Sequence, residues 1–426
     1  MLTVFTLLLL SVGSEAATSK TFNARYPQRP PDLLSDFRKN NISSTWAPGH
    51  PKDWTSKDSI KYTFSDGGPQ TYTTGAIPVA ALSPDERLLV TVNASNHVSV
   101  IATTTLMTVA QFTFTSNYAV APSALRVFVD SRGQYDVLIS VDYQEIRRIR
   151  LSYNGTQIGT STTYPGGLLC DYGSPSVSHH SRRVLAAVRN LPHYNIYDLD
   201  DATVNISLSN QIDDYFDASF SSDDQYVATR SFSYSGIPGS TKLFNTTTGT
   251  LIRDFGDTSS EVISISPDGN LLATSHNSDA LQIWDLRNAT SEPLTLSLPS
   301  KLIRSFTTLV WNTDGSYLSA GAYGNLFIWK TSPTFQLVQH LQLSEDQHDV
   351  SQLLWVEVSR RLAYRTFGGL EMYDFDTNLK YRWGFSSLSH WIDGPNHHAL
   401  TYLARNSEWI GGLDSDANVR IWDYPT

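Results

Sequence analysis

One phrase recurs eight times along this chain of 426 residues, at intervals of 43 to 48 residues. Its clearest copies are SISPDGNLLATSHNSDALQIWDL at 264–286 and LARNSEWIGGLDSDANVRIWDY at 403–424. One marker position in each copy defines the period, and the eight markers are Ser83, Asp130, Ser178, Ser221, Ser266, Asn312, Val356 and Ala404. A near-constant period of this size is typical of a ring of four-stranded blades. The sequence therefore predicts an all-β, eight-bladed β-propeller, with seven blades as the alternative.

Each copy has the pattern strand, tight turn, strand, loop, strand. In the fifth copy, Pro267 fixes φ, Asp268 can accept hydrogen bonds from its own turn, and Gly269 supplies a left-handed corner. The residue before each marker is apolar or aromatic in all eight copies: Leu82, Val129, Val177, Phe220, Ile265, Trp311, Trp355 and Leu403. We interpret these side chains as packing between blades, because large apolar groups are usually buried.

The end of the sequence bears on how such a ring closes. Thr426 directly follows the third strand of the last copy, so the outer strand of that blade must come from elsewhere. Lys61–Phe64 or Thr71–Thr74, just before the first copy, could supply it. Closure by an N-terminal strand would remove an open sheet edge, which otherwise invites aggregation.

The N-terminal residues resemble a secretory signal. Leu2–Val12 is uncharged and mostly apolar, too short to span a bilayer, and small residues at 14 and 16 follow it. We predict a signal peptide at 1–16, an irregular Pro-, Ser- and Asn-rich arm at 17–58, and the propeller at 59–426. The protein would then be secreted, with a cytoplasmic location as the alternative if 1–16 is not a signal.

Extracellular context gives meaning to six possible glycosylation sites, each an Asn followed by any residue and Ser or Thr: Asn41, Asn93, Asn154, Asn205, Asn245 and Asn288. Cys170 is the single cysteine, so no intrachain disulfide can form. The sequence thus predicts a glycoprotein whose fold depends on packing.

Charge and motif content exclude several function classes. The net charge is −10, which argues against nucleic acid as a partner because phosphates need cations to neutralise them. The sequence contains no nucleophile elbow, no phosphate loop and no apolar run long enough to span a membrane. The paired histidines at 179–180 and 397–398 alternate across a strand and so are poor joint metal ligands. We expect no metal and no cofactor.

Arginines follow the second strand in three copies: Arg189, Arg230 and Arg365. Arg189 matches the other two only if its turn is one residue longer. Equivalent sites in a ring converge towards its axis, so three guanidiniums could hold an anion at a channel mouth. Four further side chains lie after the same strands and would share that rim: His193, Tyr234, His276 and Tyr323. The alternative is that each arginine pairs with an aspartate of its own blade.

Two copies end in Ile283-Trp284-Asp285 and Ile421-Trp422-Asp423, and these endings resemble those of the WD-repeat family. The resemblance covers roughly residues 60–426. It implies a β-propeller that acts as an interaction platform, usually inside cells. The Gly-His pair that family members often carry before the first strand is absent here, which implies an incomplete hydrogen-bond network around the Trp and Asp.

Three functions remain open at this point. The first is a secreted, non-catalytic scaffold that binds a protein or glycan ligand and is monomeric. The second is a propeller enzyme, such as a lactonase, lyase or isomerase, with an arginine-lined funnel for an anionic substrate. The third is an intracellular assembly platform.

Overall fold

The computed structural model describes most of the chain from residue 45 onwards. The described residues are 45–50, 52–53, 60–63, 79–92, 96–105, 107–115, 122–130, 132–141, 145–168, 178, 180–187, 194–201, 203–208, 215–231, 240–257, 262–276, 280–288, 290–298, 306–322, 324–342, 350, 352–356, 361–366, 369–384, 400–405, 409–414 and 418–423. Every regular element in these ranges is a β-strand, which confirms the all-β prediction. Residues 1–16, Thr71–Thr74 and Cys170 lie outside them.

Three strands precede the repeats: β1 (Thr45–Trp46), β2 (Lys52–Asp53) and β3 (Ile60–Thr63). The first four repeats contain β4 (Val79–Leu82), β5 (Leu88–Val92), β6 (His97–Ala102), β7 (Met107–Thr113), β8 (Pro122–Val129), β9 (Tyr135–Val141), β10 (Glu145–Leu151), β11 (Thr162–Pro165), β12 (Gly167–Leu168), β13 (Arg183–Ala187), β14 (Tyr194–Asp198), β15 (Asn205–Ser207), β16 (Tyr215–Phe220), β17 (Tyr226–Ser231), β18 (Ser240–Asn245) and β19 (Leu251–Asp257). The last four contain β20 (Ile263–Ile265), β21 (Leu271–His276), β22 (Ala280–Asp285), β23 (Leu294–Ser297), β24 (Phe306–Trp311), β25 (Tyr317–Ala322), β26 (Asn325–Lys330), β27 (Gln336–Gln342), β28 (Gln352–Val356), β29 (Arg361–Thr366), β30 (Gly369–Asp374), β31 (Leu379–Gly384), β32 (Leu400–Arg405), β33 (Trp409–Asp414) and β34 (Asn418–Asp423).

These strands form eight sheets in the described part of the chain, one for each repeat, and we number them 1 to 8 along the sequence. Sheets 1 to 6 each contain four consecutive strands, from β4–β7 to β24–β27. Sheet 7 adds β1 and β2 to β28–β31, and both added strands run parallel to β31. Sheet 8 combines β32–β34 with β3, which pairs antiparallel with β34. The arm that we predicted to be irregular therefore contains two short strands.

The first strands lie on the inside of this arrangement. β16, β20, β24, β28, β32 and β4 follow one another in contact, and β4 also contacts β8. Sheet 3 joins its neighbours through β12, which contacts β9, and through a shared apolar cluster that includes Leu185 and Phe220. Second strands such as β9 are buried throughout, whereas the outer strand β7 alternates between exposed and half-buried residues. Successive sheets around a common inside are the geometry of a β-propeller, which confirms that part of the prediction.

Packing between sheets uses the position that the sequence marked. Four of the eight side chains before the markers are buried: Phe220, Ile265, Trp311 and Trp355. Leu82 and Val129 are half-buried, and no side chain is described at 177 or 403. Trp311 also donates from Nε1 to the carbonyl oxygen of Ser264 in the preceding sheet, 3.2 Å away. Burial at this position packs neighbouring sheets together, and in sheet 6 a hydrogen bond from Trp311 adds to it.

The tight turns repeat one hydrogen-bond pattern. Ser266 Oγ donates to Asp268 Oδ1 at 2.5 Å and accepts from the backbone N–H of Leu271 at 2.9 Å. Gly269 has a φ of 71° at the corner, as the sequence predicted. Sheet 4 has Asp224 at this corner with a φ of 57°, although a left-handed conformation costs a non-glycine residue some stability.

Candidate functional site

The structure describes two of the three arginines predicted to share a rim. Arg230 is buried on β17, in register with Asp217 on β16 and Thr241 on β18. Arg365 lies at the equivalent place on β29 and is half-buried. Burial lowers the pKa of Arg365 to about 10, because the charged guanidinium loses hydration there. Both side chains are near the ends of their strands that lead into the loop between the second and third strands.

Arg189 lies outside the described residues, and the equivalent position in sheet 3 belongs to Ala187. Ser178 N donates to the carbonyl oxygen of Arg183 at 2.9 Å, which spans five residues, as do the Ser221–Tyr226 and Ser266–Leu271 bonds of sheets 4 and 5. The turn is therefore not one residue longer, which was the condition for the match. It closes at the same length because Arg182 adopts a left-handed φ of 52°. The residue equivalent to Arg230 is Ala187, and Arg189 lies two residues beyond it, outside the described residues.

The remaining predicted rim residues are mostly undescribed. Residues His193, Tyr234 and Tyr323 fall outside the described ranges. His276 ends β21, where it pairs with Ala280, and only its backbone is described. Sheet 6 has Gly321 where sheets 4 and 7 have arginine, and an added Cβ there would lie 2.6 Å from Val350 Cβ. Size at this position thus differs from sheet to sheet.

Four of the six predicted glycosylation sites are described. Asn154, Asn205 and Asn288 are exposed, whereas Asn245 is half-buried and its Oδ1 accepts two backbone hydrogen bonds from the following turn. Asn205 begins the outer strand β15. Asn41 and Asn93 lie outside the described residues.

A cleft lies at the other end of the strands, where the tight turns are. It has a volume of about 990 Å³ and lies between sheets 2 and 3. We call it the arginine cleft, because its lining includes four arginines: Arg132, Arg148, Arg150 and Arg182. Its walls come from the β8–β9 turn, strand β10, the segment before β11, and the turn before β13. Pro84, from the turn of sheet 1, also lines it.

A buried carboxylate organises these arginines. Asp136 on β9 is only 1% exposed, and Arg148 approaches it with two parallel hydrogen bonds, Nε to Oδ1 at 2.7 Å and Nη2 to Oδ2 at 2.9 Å. Arg182, from the neighbouring sheet, donates to Oδ2 as well. Arg150 Nε lies 3.4 Å from Oδ1. One carboxylate therefore faces three guanidiniums from two sheets, and planar forks of this kind suit carboxylate oxygens well.

The charges set the protonation states of this group. Burial on its own raises the pKa of Asp136, but the hydrogen bonds and positive charges of Arg148 and Arg182 outweigh it and hold the pKa below its ordinary value. Burial likewise lowers the pKa of Arg148, and the bond to Asp136 more than reverses this, so the pKa is raised. Asp136 is thus ionised at neutral pH.

Further contacts fix the arginines in place. Arg148 Nη1 donates to the carbonyl oxygen of Leu199 in sheet 3, and Arg182 Nε lies 3.0 Å from Asp200 Oδ1. The turn that carries Arg182 is tied to sheet 4, because Asp224 Oδ2 accepts from the backbone N–H groups of His180 at 2.7 Å and Ser181 at 2.5 Å. The left-handed Asp224 therefore closes its own turn and holds the neighbouring one.

Sequence reasoning missed this cleft, although two signals were available. Asp136 interrupts the apolar strand YDVLISV, where an aspartate needs a buried partner. The strand EIRRIRL carries three arginines, and Arg148 and Arg150 share one face of it. The link to Arg182, 46 residues away, could not be inferred without the packing of sheets 2 and 3.

Trp284, in the fifth repeat, shows which contacts the Trp of a Trp-Asp ending makes. Trp284 Nε1 donates to Thr274 Oγ1 on the adjacent strand at 3.2 Å. The ring also packs edge-on against Phe255, with centroids 5.0 Å apart, and lies under the Arg253 guanidinium. Apolar and cation–π contacts thus accompany one strand-to-strand bond.

Comparisons with known proteins agree with this geometry. The sequence profile of the family described as WD domain, G-beta repeat, matches residues 249–285, which include Trp284 and Asp285. A search of curated proteins found no significant match.

Within the described residues, no group of three or more His, Cys, Asp or Glu side chains could hold a metal ion, and no helix could cross a membrane.

Solved structures of low sequence identity share the fold. The Saccharomyces cerevisiae protein Sqt1 has a TM-score of 0.62 at 11% identity, over 90% of this chain and all of that one. The C-terminal WD40 domain of Sif2 scores 0.61 at 12% identity, and the computationally designed Ika8 protein 0.59 at 13%; each match covers 82% of this chain and 96% of the other. These likenesses show that the chain has the β-propeller fold, and its segment 249–285 matches a WD repeat.

Proposed function

We propose that the chain is a secreted, non-catalytic scaffold that binds a protein or glycan ligand through one face of its propeller. The arginine cleft is the observation that carries the proposal. It is lined from three sheets, and the Asp224 and Asp136 contacts hold its walls before any ligand arrives. Preformed walls reduce the ordering cost of binding. Propellers of the WD40 kind generally serve as protein-binding scaffolds, which favours a protein ligand.

We also propose that the eight sheets are the eight blades of one closed ring. The contact between β32 and β4 supports this, since it brings sheet 8 against sheet 1. The pairing of β3 with β34 supports it too, because β3 then supplies the outer strand of the last blade. A seven-bladed ring would leave one of these sheets outside the circle.

Secretion is the part of the proposal that depends on residues 1–16. The exposure of Asn154, Asn205 and Asn288 supports it, because glycans at these positions would project into solvent. The test is to detect the protein in culture medium and to measure its mass before and after treatment with a glycosidase. Recovery from the cytoplasm alone, with no change in mass, would exclude an extracellular role.

The enzyme alternative has less support. It depended on three equivalent arginines, and the register of sheet 3 gives the third place to Ala187. Arg230 and Arg365 belong to sheets 4 and 7, with two sheets between them. No observation on the described residues favours a reaction over binding.

Site-specific photocrosslinking tests the binding function. A photoreactive residue at Thr160, an exposed residue in the lining of the arginine cleft, is expected to capture a partner from the native extracellular medium. The same residue at Thr295, exposed on the outer strand β23, is the matched control. Equal labelling at both positions, or none at either, would contradict binding at this cleft.

A further inference from the structure

We propose that the arginine cleft binds an acidic segment of a partner protein, whose phosphate or clustered carboxylate groups contact Arg132 and Arg150. This inference rests on the proposed scaffold function and names the chemistry of the ligand. The shared chemistry of the two sources is a negatively charged oxygen group, which guanidinium forks recognise through paired hydrogen bonds.

Two of the four arginines are committed to the protein itself. Arg148 donates from Nε and Nη2 to Asp136 and from Nη1 to the Leu199 carbonyl oxygen. Arg182 bridges Asp136 and Asp200. Removing either one would leave Asp136 short of partners in a buried place, so both belong to the framework of the cleft.

The other two arginines are open to a ligand. Arg150 has 38% of its side chain exposed, and its 3.4 Å approach to Asp136 is the longest of the three arginine contacts. Asp136 is already satisfied by Arg148 and Arg182, so it neutralises little of the charge on Arg150. Arg132 is exposed, and its guanidinium makes no ion pair with the described residues. The one carboxylate beside it, Asp130, is occupied by backbone N–H groups of its own turn.

Charge in the cleft favours an acidic ligand. The lining contains four arginines and two aspartates, Asp130 and Asp200, while Asp136 and Asp224 lie behind it and accept hydrogen bonds from the protein. In a protein whose net charge is −10, such a local group of cations gives direction to the approach of an acidic ligand. The volume of about 990 Å³ accommodates several residues of an extended peptide rather than a lone ion. Ile158, which is 36% exposed in the lining, offers an apolar contact beside the charges.

Binding of labelled peptides to the purified full-length protein tests the inference. Three probes share one sequence and differ at the centre: a phosphoserine, a run of glutamates, or neutral serines. Fluorescence anisotropy at about 50 and 300 mM NaCl gives the Kd of each, and we expect the acidic probes to bind more weakly at the higher salt because ions screen exposed charges. Preference for phosphoserine identifies phosphate as the source, and equal or better binding of the glutamate probe identifies carboxylates.

The variants separate the open arginines from the framework. The double change Arg132→Gln and Arg150→Gln is expected to raise the Kd of the acidic probe about tenfold or more, since two charge-assisted contacts are lost. Arg287→Gln is the matched control, because Arg287 is 65% exposed on sheet 5 and is expected to leave the Kd unchanged. Thermal melting of each variant verifies that the fold is intact.

A second variant changes the charge of the cleft without removing an arginine. Gly159 lines it with a φ of 70°, and a Cβ built there meets nothing within 4 Å. Aspartate tolerates this conformation better than most residues, so Gly159→Asp adds a negative charge to the lining at small structural cost. We expect this variant to weaken the binding of the acidic probe as well, because the added carboxylate repels it.

Two results would overturn the inference: no binding of either acidic probe up to about 1 mM, a range in which weak peptide binding is measurable, or binding that Arg132→Gln with Arg150→Gln leaves unchanged. If photocrosslinking at Thr160 persists in that double variant, the scaffold function stands and the acidic ligand is excluded. If the wild-type protein captures nothing at Thr160, the scaffold function fails at this cleft.

Discussion

At the scale of single residues, Asp136 determines more of the structure than its sequence context indicates. It is nearly inaccessible and accepts hydrogen bonds from Arg148 and Arg182, which belong to different sheets. The sequence shows Asp136 as a charged residue within an apolar strand. It does not show the partners of this carboxylate, because one of them comes from the next repeat.

The first prediction concerns the loss of that carboxylate. Asp136→Asn removes a negative charge from three guanidiniums, and breaking a buried ion pair from one side costs about 3–5 kcal/mol of unfolding free energy. Asp285→Asn is the control, since Asp285 pairs with the exposed Arg287 and such pairs contribute roughly 0.2–1 kcal/mol. Urea denaturation at neutral pH measures both. A cost below that of the control would mean that Asp136 is not a structural anchor.

The pH dependence of stability follows from the lowered pKa of Asp136. Its unfolded pKa is about 3.9, and the folded pKa lies lower, so below neutrality the unfolded chain takes up the proton first. The contribution is complete above the unfolded pKa and is lost as pH falls through the folded one. We expect wild type to lose more unfolding free energy than Asp136→Asn between pH 5 and pH 3. Parallel curves for the two proteins would contradict this assignment.

Gly321 gives the third prediction. It lies at the position that holds Arg230 in sheet 4 and Ser275 in sheet 5, yet a Cβ there would meet Val350 at 2.6 Å and Thr308 Cγ2 at 2.7 Å. Gly321→Ala should therefore cost about 1–3 kcal/mol by overpacking. The midpoint of urea unfolding measures it, and a shift equivalent to less than about 0.5 kcal/mol, the size of an ordinary surface change, would show that the strands can move apart.

At the scale of strands and turns, the sequence predicted what is local. The Ser-Pro-Asp-Gly turn, the strand on either side of it and the buried residue before the marker all appear as expected around Ser266. The parallel strands β1 and β2 could not be predicted. Each contains two residues, which is too few for a sequence pattern, and each forms by pairing with the edge of β31. The place of Arg189 depended on a local detail that the sequence does not show: the turn of sheet 3, in which Arg182 is left-handed, has the usual length.

Two nested deletions isolate the contribution of β3. Removing residues 17–58 takes away β1 and β2, and removing 17–64 takes away β3 as well. We expect the longer deletion to be markedly less stable and more prone to aggregate, because it exposes the edge of β34. Size-exclusion chromatography and thermal melting compare the two. Equal behaviour would show that β3 adds nothing to sheet 8.

At the scale of the whole molecule, sheets 8 and 1 meet through β32 and β4, and sheet 8 pairs β3 with the distant strand β34. The start of β3 and the end of β34 are antiparallel neighbours, as the third and fourth strands are in other sheets. We expect a permuted chain, in which a short turn joins residue 423 to residue 60 and new termini open between 169 and 177, to fold with an unchanged near-ultraviolet circular dichroism spectrum. If the permuted chain does not fold, the ends of β3 and β34 are too far apart for a short turn to join them.

The origin of sheet 8 also has a consequence for biogenesis. Residues 60–63 leave the ribosome well before their partners at 418–423 are made. At about 5–20 residues per second, roughly 350 intervening residues take on the order of 20–70 s to translate. Throughout that interval β3 cannot pair with β34, and we expect a chaperone to cover its unpaired edge. Nascent chains stalled before residue 418 should therefore remain bound to chaperones, and full-length release should free them.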